Sequence, residues 1–259
     1  MRKATRAVMC LAMALGLGGI VHAITNGHLD GDRHPYVAMV DNGVYYCSGV
    51  AISDVLVVTA AHCLASWEPG GEGEVRVTFD AEADLDGGSW HTGTIHAHPD
   101  WCIGCAGGLP GFDTHDVAVV VLDHAVSLPR YAVLPETGFV DSLPMKTQVE
   151  VVGYGIHGWS RDGGPPHGQP VQDFKRYYAN AELVTSHNRQ SDEFLKITAN
   201  PAQGKGGVCF GDSGGPALLG NIVLGVTSYL TNQECAGVTY SNRLDLEYAL
   251  DFFGSFGQP

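Results

Sequence analysis

Charge is scarce in this chain, and positive charge is the scarcest. Only 16% of its 259 residues are charged, and 14 Lys and Arg stand against 28 Asp and Glu. With a net charge of −14 and no basic stripe, the surface repels nucleic acid and anionic membranes, so an electrostatic nucleic-acid binder is excluded. Long helical periodicity is missing before the C-terminus, which argues against a parallel sheet built from alternating strands and helices. The apolar run from Ala7 to Ile20 is shorter than the ~20 residues that cross a bilayer. Internal repeats and low-complexity tails are absent. Apolar residues are not lacking: at 44% they confine disorder to a few loops.

The basic residues Arg2, Lys3 and Arg6 precede that apolar run, and Val21-His22-Ala23 follows it with a small-x-small ending. This is the pattern of a signal peptide. Residues 1–23 therefore read as a signal peptide and 24–259 as the mature unit, with an uncleaved membrane anchor as the competing reading. Cys10 lacks the small residues that a lipoprotein site needs before it, so a lipid anchor is set aside. Removing three basic and no acidic residues leaves 11 against 28, a net charge of −17. Such an acidic surface suits a soluble secreted protein. Cysteines fall from seven to six, an even number suited to an oxidising compartment, and six allow 15 disulfide connectivities.

The 35 glycines fit many tight turns and short strands. Apolar runs broken by Gly, Asp, Asn and Pro recur at Tyr36–Val40, Val44–Ile52, Val55–Thr59, Val75–Phe79, Val117–Leu122, Val149–Val152, Ala217–Leu219 and Ile222–Thr227. Their length and their Val and Ile content predict an all-β sandwich or barrel. Leu246, Ala249, Leu250 and Phe253 recur at helical spacing and predict one C-terminal helix over 243–254. Residues 67–73, 99–114 and 158–173 read as surface loops.

Three segments carry chemistry. His62 follows the strand-like Val57-Val58-Thr59, Asp116 opens another strand, and Ser213 sits in Gly211-Asp212-Ser213-Gly214-Gly215-Pro216. A serine hydroxyl is a poor nucleophile until a base takes its proton. Histidine titrates near neutrality, and a carboxylate holds its ring in the required tautomer. Flanking glycines let the backbone approach a substrate and free the amides of Gly211 and Ser213 for a developing oxyanion. Each segment alone also fits an ordinary turn or strand end; their joint occurrence, in the order His, Asp, Ser, is what points to catalysis.

The chain resembles the chymotrypsin–trypsin family over nearly the whole mature length. Thr59-Ala60-Ala61-His62-Cys63 and Gly211–Pro216 match its two signature motifs, and Asp116-Val117-Ala118-Val119 is similar to its acid motif. Cys47-Ser48-Gly49 and Val152-Gly153-Tyr154-Gly155 are similar to two of its strand segments. The resemblance implies two six-stranded antiparallel β-barrels followed by the helix, with 24–130 and 145–245 supplying the barrels and the active site between them. It implies a secreted serine endopeptidase acting on polypeptides, monomeric, open to protein inhibitors, and needing no cofactor or metal. It also implies that Ser228 bonds the catalytic aspartate, and that Cys47–Cys63 and Cys209–Cys235 pair.

Ile24-Thr25-Asn26-Gly27 resembles the family's mature start, whose ammonium pairs with the aspartate before the catalytic serine, here Asp212. Signal peptidase would then create the activating terminus itself, since no propeptide is visible. By the same resemblance the specificity pocket comprises Gly207 at its floor, Val208, Phe210, Ser228, Tyr229 and Leu230. The floor lacks the aspartate that selects Arg or Lys, and Leu230 stands where a glycine is usual, so small or medium aliphatic side chains are expected.

Cys102-Ile103-Gly104-Cys105 departs from the family pattern. It reads as a local disulfide, with a zinc site that uses His96 and His98 as the alternative. Asp80, Glu82, Asp84 and Asp86 read as a solvated loop, with a Ca²⁺ site as the alternative. For the whole chain, the rival readings are a catalytically silent homologue that binds a partner and an esterase. Esterases of the α/β type place the histidine last, opposite to the order here.

Overall fold

The computed structural model describes residues 24–102, 114–159, 170–185, 192–199, 204–233 and 235–257. The short edge strand β1 (His28–Leu29) precedes six strands: β2 (Val37–Asp41), β3 (Tyr46–Ala51), β4 (Leu56–Thr59), β5 (Glu72–Thr78), β6 (Trp90–Ala97) and β7 (Ala118–Leu122). These six close into a barrel in the order β2-β3-β4-β7-β6-β5. After β8 (Gln148–Gly153) comes a two-stranded ribbon of β9 (Gly158–Trp159) and β10 (Pro170–Val171). Next come β11 (Tyr177–Thr185), β12 (Phe194–Ala199), β13 (Pro216–Leu219), β14 (Ile222–Leu230) and β15 (Gly237–Arg243). With β8 they form a second closed ring, β8-β11-β12-β15-β14-β13, because β8 pairs with both β11 and β13. All of these strand pairings are antiparallel, so the expected two-barrel architecture is present.

The apolar runs named from the sequence are strands. The sequence reading did not single out β1, β6, β11, β12 or β15, and it took β9 and β10 as part of a surface loop. In β6 only Gly93, Ile95 and Ala97 face inward, alternating with His and Thr, so no contiguous apolar run marks it. The helix, α1, spans Glu247–Gly254 and starts later than the expected 243. Arg243 instead completes β15 opposite Gly225, and Leu246 is extended (ψ 143°). From there the predicted spacing holds, with Ala249 and Phe253 buried.

Val37, Met39, Val57, Val77, Ile95 and Val119 fill the first barrel. Ile24, Val149, Val151, Leu183, Ile197 and Leu224 fill the second. Each such side chain contributes about 1.5–3 kcal/mol on burial. The first ring's strands fall within 24–130 and the second's within 145–245. The segment around Ile24 and β1, however, packs on the second barrel, with His28 opposite Tyr178.

Polar contacts lock the two units together. Arg176, at the head of β11, is 1% exposed and donates to Asp30 Oδ2 (2.7 Å), Gly31 O (2.6 Å), Val37 O (2.9 Å), Phe79 O (2.9 Å) and the Tyr154 hydroxyl (3.0 Å). A buried guanidinium is tolerated because these acceptors satisfy its donors. Burial alone would raise the Asp30 pKa; His34 and Arg176 outweigh it and hold it below the ordinary value. Among the described residues, no helix is long and apolar enough to cross a membrane.

Candidate active site

Hydrogen bonds join His62, Asp116 and Ser228, and the Ser213 carbonyl lies beside Cys63, the residue after His62. Strand β4 ends at Thr59, and a single 3₁₀ turn, Ala61–Cys63, places His62 at the rim. The Cys47–Cys63 disulfide fixes that turn to β3. Tyr45 donates its hydroxyl to His62 O (2.7 Å), and Asn42 Nδ2 donates to Cys63 O (2.8 Å). The ring faces Asp116, with 2.8 Å between Nδ1 and Oδ2, while the His62 amide donates to Oδ1 at 2.9 Å.

Asp116 is 1% exposed. Ser228 Oγ donates to its Oδ2 (2.5 Å), and its own amide donates to Asn242 Oδ1 (2.8 Å). Burial works against charge on both partners. On His62 the Asp116 charge and hydrogen bond outweigh burial and hold the imidazole pKa above the ordinary value. On Asp116 the His62 charge and the bonds from His62 and Ser228 outweigh it in turn, holding the carboxyl below the ordinary value.

Ser213 lies just before β13. Its carbonyl accepts from Ser48 N (2.7 Å) and sits 3.8 Å from Cys63 Sγ, beside His62. Only glycine fits the turn around it. A Cβ on Gly214 (φ +76°) would lie 2.0 Å from Thr59 Oγ1, and one on Gly211 (φ +95°) 2.5 Å from Tyr46 Cε2. Ser48 Oγ donates to Gly211 O (3.0 Å) and pins that peptide. Among the described residues, neither the Gly211 nor the Ser213 amide donates to a protein acceptor. Among the described residues, no hydrogen bond joins Ser213 Oγ to His62.

Asp212 is fully buried. It accepts from Gly155 N and Cys209 N, both at 2.8 Å. Burial dominates these two bonds and pushes its pKa up to about 7. Ile24 is 0% exposed and belongs to the second barrel's core. Because Ala23 precedes it, it carries a peptide nitrogen here, and no ion pair joins it to Asp212 among the described residues. Thr25 pairs with Gly207, whose amide donates to Thr25 O at 3.1 Å.

Of the remaining pocket candidates, Val208 is 1% exposed and packs with the second core, while Phe210 is 48% exposed. Leu230 packs on Ile156 and the Cys209–Cys235 disulfide. Tyr229 stacks on Tyr240 with ring centroids 4.5 Å apart. Cys102 is disulfide-bonded and offers no thiolate to a metal; Cys105 lies outside the described residues. The one metal-like group among the described residues, Cys47, His62 and Cys63, has both sulfurs in a disulfide. In the acidic stretch, Asp80 accepts from Ser89 N, Asp84 accepts from Asp86 N, and Glu82 pairs with Lys175. Sequence reasoning missed Asn242 and assigned no role to the Ser48 hydroxyl. Ser48 stood inside a quoted motif, whereas nothing local to Asn242 signals its bond to a residue 126 positions away.

Comparison with known proteins agrees with this fold. The human heparin-binding protein structure superposes with a TM-score of 0.64 at 20% identity, covering 90% of this chain and 96% of that one. A trypsin delta of Drosophila erecta is 24% identical over 91% of this chain and 90% of its own. The cercarial protease of Schistosoma mansoni is 30% identical over 85% of this chain and 84% of its own. The family model described as Trypsin matches residues 25–244, so the chain belongs to the trypsin family.

Proposed function

We propose that the protein is a secreted serine endopeptidase that cleaves polypeptides through an acyl-enzyme. The observation that carries the reading is the doubly bonded His62–Asp116 pair, bracketed by Ser228 and Asn242. Ser213 Oγ attacks the scissile carbonyl as its proton passes to His62 Nε2. Asp116 accepts from Nδ1–H and stabilises the imidazolium. The amides of Gly211 and Ser213 donate to the carbonyl oxygen as charge builds on it, and losing one such donor costs roughly 100- to 1000-fold in kcat. The imidazolium then protonates the leaving amine, and water repeats the sequence on the ester.

Activation follows from the state of Asp212. A buried carboxylate without a cation is costly, and its pKa near 7 reflects that cost. Cleavage before Ile24 frees an ammonium that pairs with Asp212 and fixes the Gly211 peptide. Signal removal and activation are then one event. Protein inhibitors would fill the same site.

The primary pocket is apolar and non-tryptic. Gly207 brings no carboxylate, and Leu230 on the Cys209–Cys235 bridge narrows the mouth. Val208, Phe210, Ser228 and Tyr229 complete it. Purified processed protein, profiled on a peptide library beside Ser213→Ala, is expected to cut after small or medium aliphatic residues, with no cutting by the variant. Fast cleavage after Arg or Lys contradicts the pocket assignment. Absence of cleavage on every peptide contradicts the peptidase reading and favours a silent homologue.

A further inference from the structure

Glu193 immediately precedes β12, in the second barrel, yet its side chain serves the first. The residue is 3% exposed. Its carboxylate accepts short hydrogen bonds from the amides of Thr114 and His115, the two residues before Asp116. Thr114 Oγ1 lies 3.5 Å from Oε1, and the Tyr248 hydroxyl donates to Oε1 at 3.1 Å. Two successive amides aimed at one anion make a small anion-binding concavity, and charge-assisted bonds of this kind are the strong ones. They also offset a cost, because His115 adopts the left-handed conformation (φ 49°), which a non-glycine residue rarely takes.

The same assembly reaches Asp116 by a second route. Phe194 lies opposite Asn242 in the β12–β15 ladder, so Glu193 and Asn242 meet the loop side by side. Asn242 Oδ1 accepts the Asp116 amide (2.8 Å), while its Nδ2 donates to the Tyr248 hydroxyl (2.5 Å), which in turn donates to Glu193. The Glu193 carbonyl accepts from Arg243 N at 2.8 Å, anchoring the residue to β15. The ring of His115 packs edge-on against Tyr248, with centroids 4.2 Å apart.

We infer that Glu193 is a positioning residue for catalysis, a strut from the second barrel that holds the Thr114–Asp116 peptide so that Asp116 meets His62. The inference rests on the peptidase reading above. Glu193 touches neither substrate nor reacting atoms; it acts through the backbone that carries the aspartate.

Glu193→Gln tests it, because the isosteric amide turns an NH₂ toward donors that need an acceptor. The expected result is a fall in kcat on the order of 10- to 100-fold with KM changed less than about twofold, at an unchanged circular dichroism spectrum. In an Asp116→Asn background the same change should cost less than about twofold, since its effect travels through the aspartate. A purely structural role would subtract equally in both backgrounds. The His62 Nδ1 proton, followed by NMR, should move upfield in Glu193→Gln as its bond to Asp116 loosens. Tyr248→Phe, which removes one donor, should show the same pattern more weakly and serves if the first variant fails to fold. Parental kcat in both variants, equal losses in the two backgrounds, or an unmoved proton overturns the inference. A parent that hydrolyses no peptide contradicts the peptidase reading instead, and the proton shift then decides the strut alone.

Discussion

At the residue scale the site is a contest between burial and partnership on each titratable group. In the proposed mechanism His62 acts as a base only when neutral, so activity should appear as its proton leaves. Its pKa is held above the ordinary ~6.5 because the Asp116 charge and hydrogen bond outweigh burial. The acid limb of kcat/KM should therefore have its midpoint above that value, and Asp116→Asn should move the midpoint down while lowering kcat by about 10⁴-fold. A midpoint at or below the free imidazole value in the parent contradicts the pairing. The residues of this contest were legible in sequence because each sits in a short motif with a steric reason. Gly214, for example, leaves no room for a Cβ against Thr59. Their supports were not legible. Asn242 and Glu193 act on partners 126 and 78–79 positions away, and a single long-range hydrogen bond leaves no periodicity behind.

At the element scale the proposed activation links the segment at Ile24 to the Asp212 turn. In the uncleaved chain, folded Asp212 keeps its proton up to about 7, while its ordinary value is 3.8. Between those values the folded state binds the extra proton, so this group's contribution to stability falls as pH rises through that window. Asp212→Asn should therefore flatten the pH dependence of the stability of uncleaved protein between about pH 4 and 7. In processed protein the same substitution should destabilise and inactivate, because the Ile24 ammonium loses its partner. Urea unfolding of both forms across that range checks this; equal slopes for the parent and the Asn variant before cleavage would refute it. The elements themselves were readable where apolar residues run together, as in β4 and β7. They were hard to read where one face is polar, as in β6, and where a strand runs up to a helix, as Arg243 does before α1.

At the scale of the whole molecule, the two barrels meet along a seam that is part apolar, where Val152, Tyr154 and Leu218 join the first barrel's core, and part polar. Arg176 ties the second barrel to Asp30 and the first barrel's strands. Ser48, on the first, pins Gly211 on the second, and Asn242, on the second, holds Asp116 on the first. The groups proposed for catalysis, drawn from both units, are thus set by contacts that also set the units against each other. Across this seam, in the proposed mechanism, His62 makes Ser213 nucleophilic. Mass spectrometry of processed protein after treatment with a fluorophosphonate tests it most directly. One stoichiometric adduct is expected on Ser213, lost in Ser213→Ala and slowed by orders of magnitude in His62→Ala. An adduct that forms as fast without His62, or none on the parent, would contradict it.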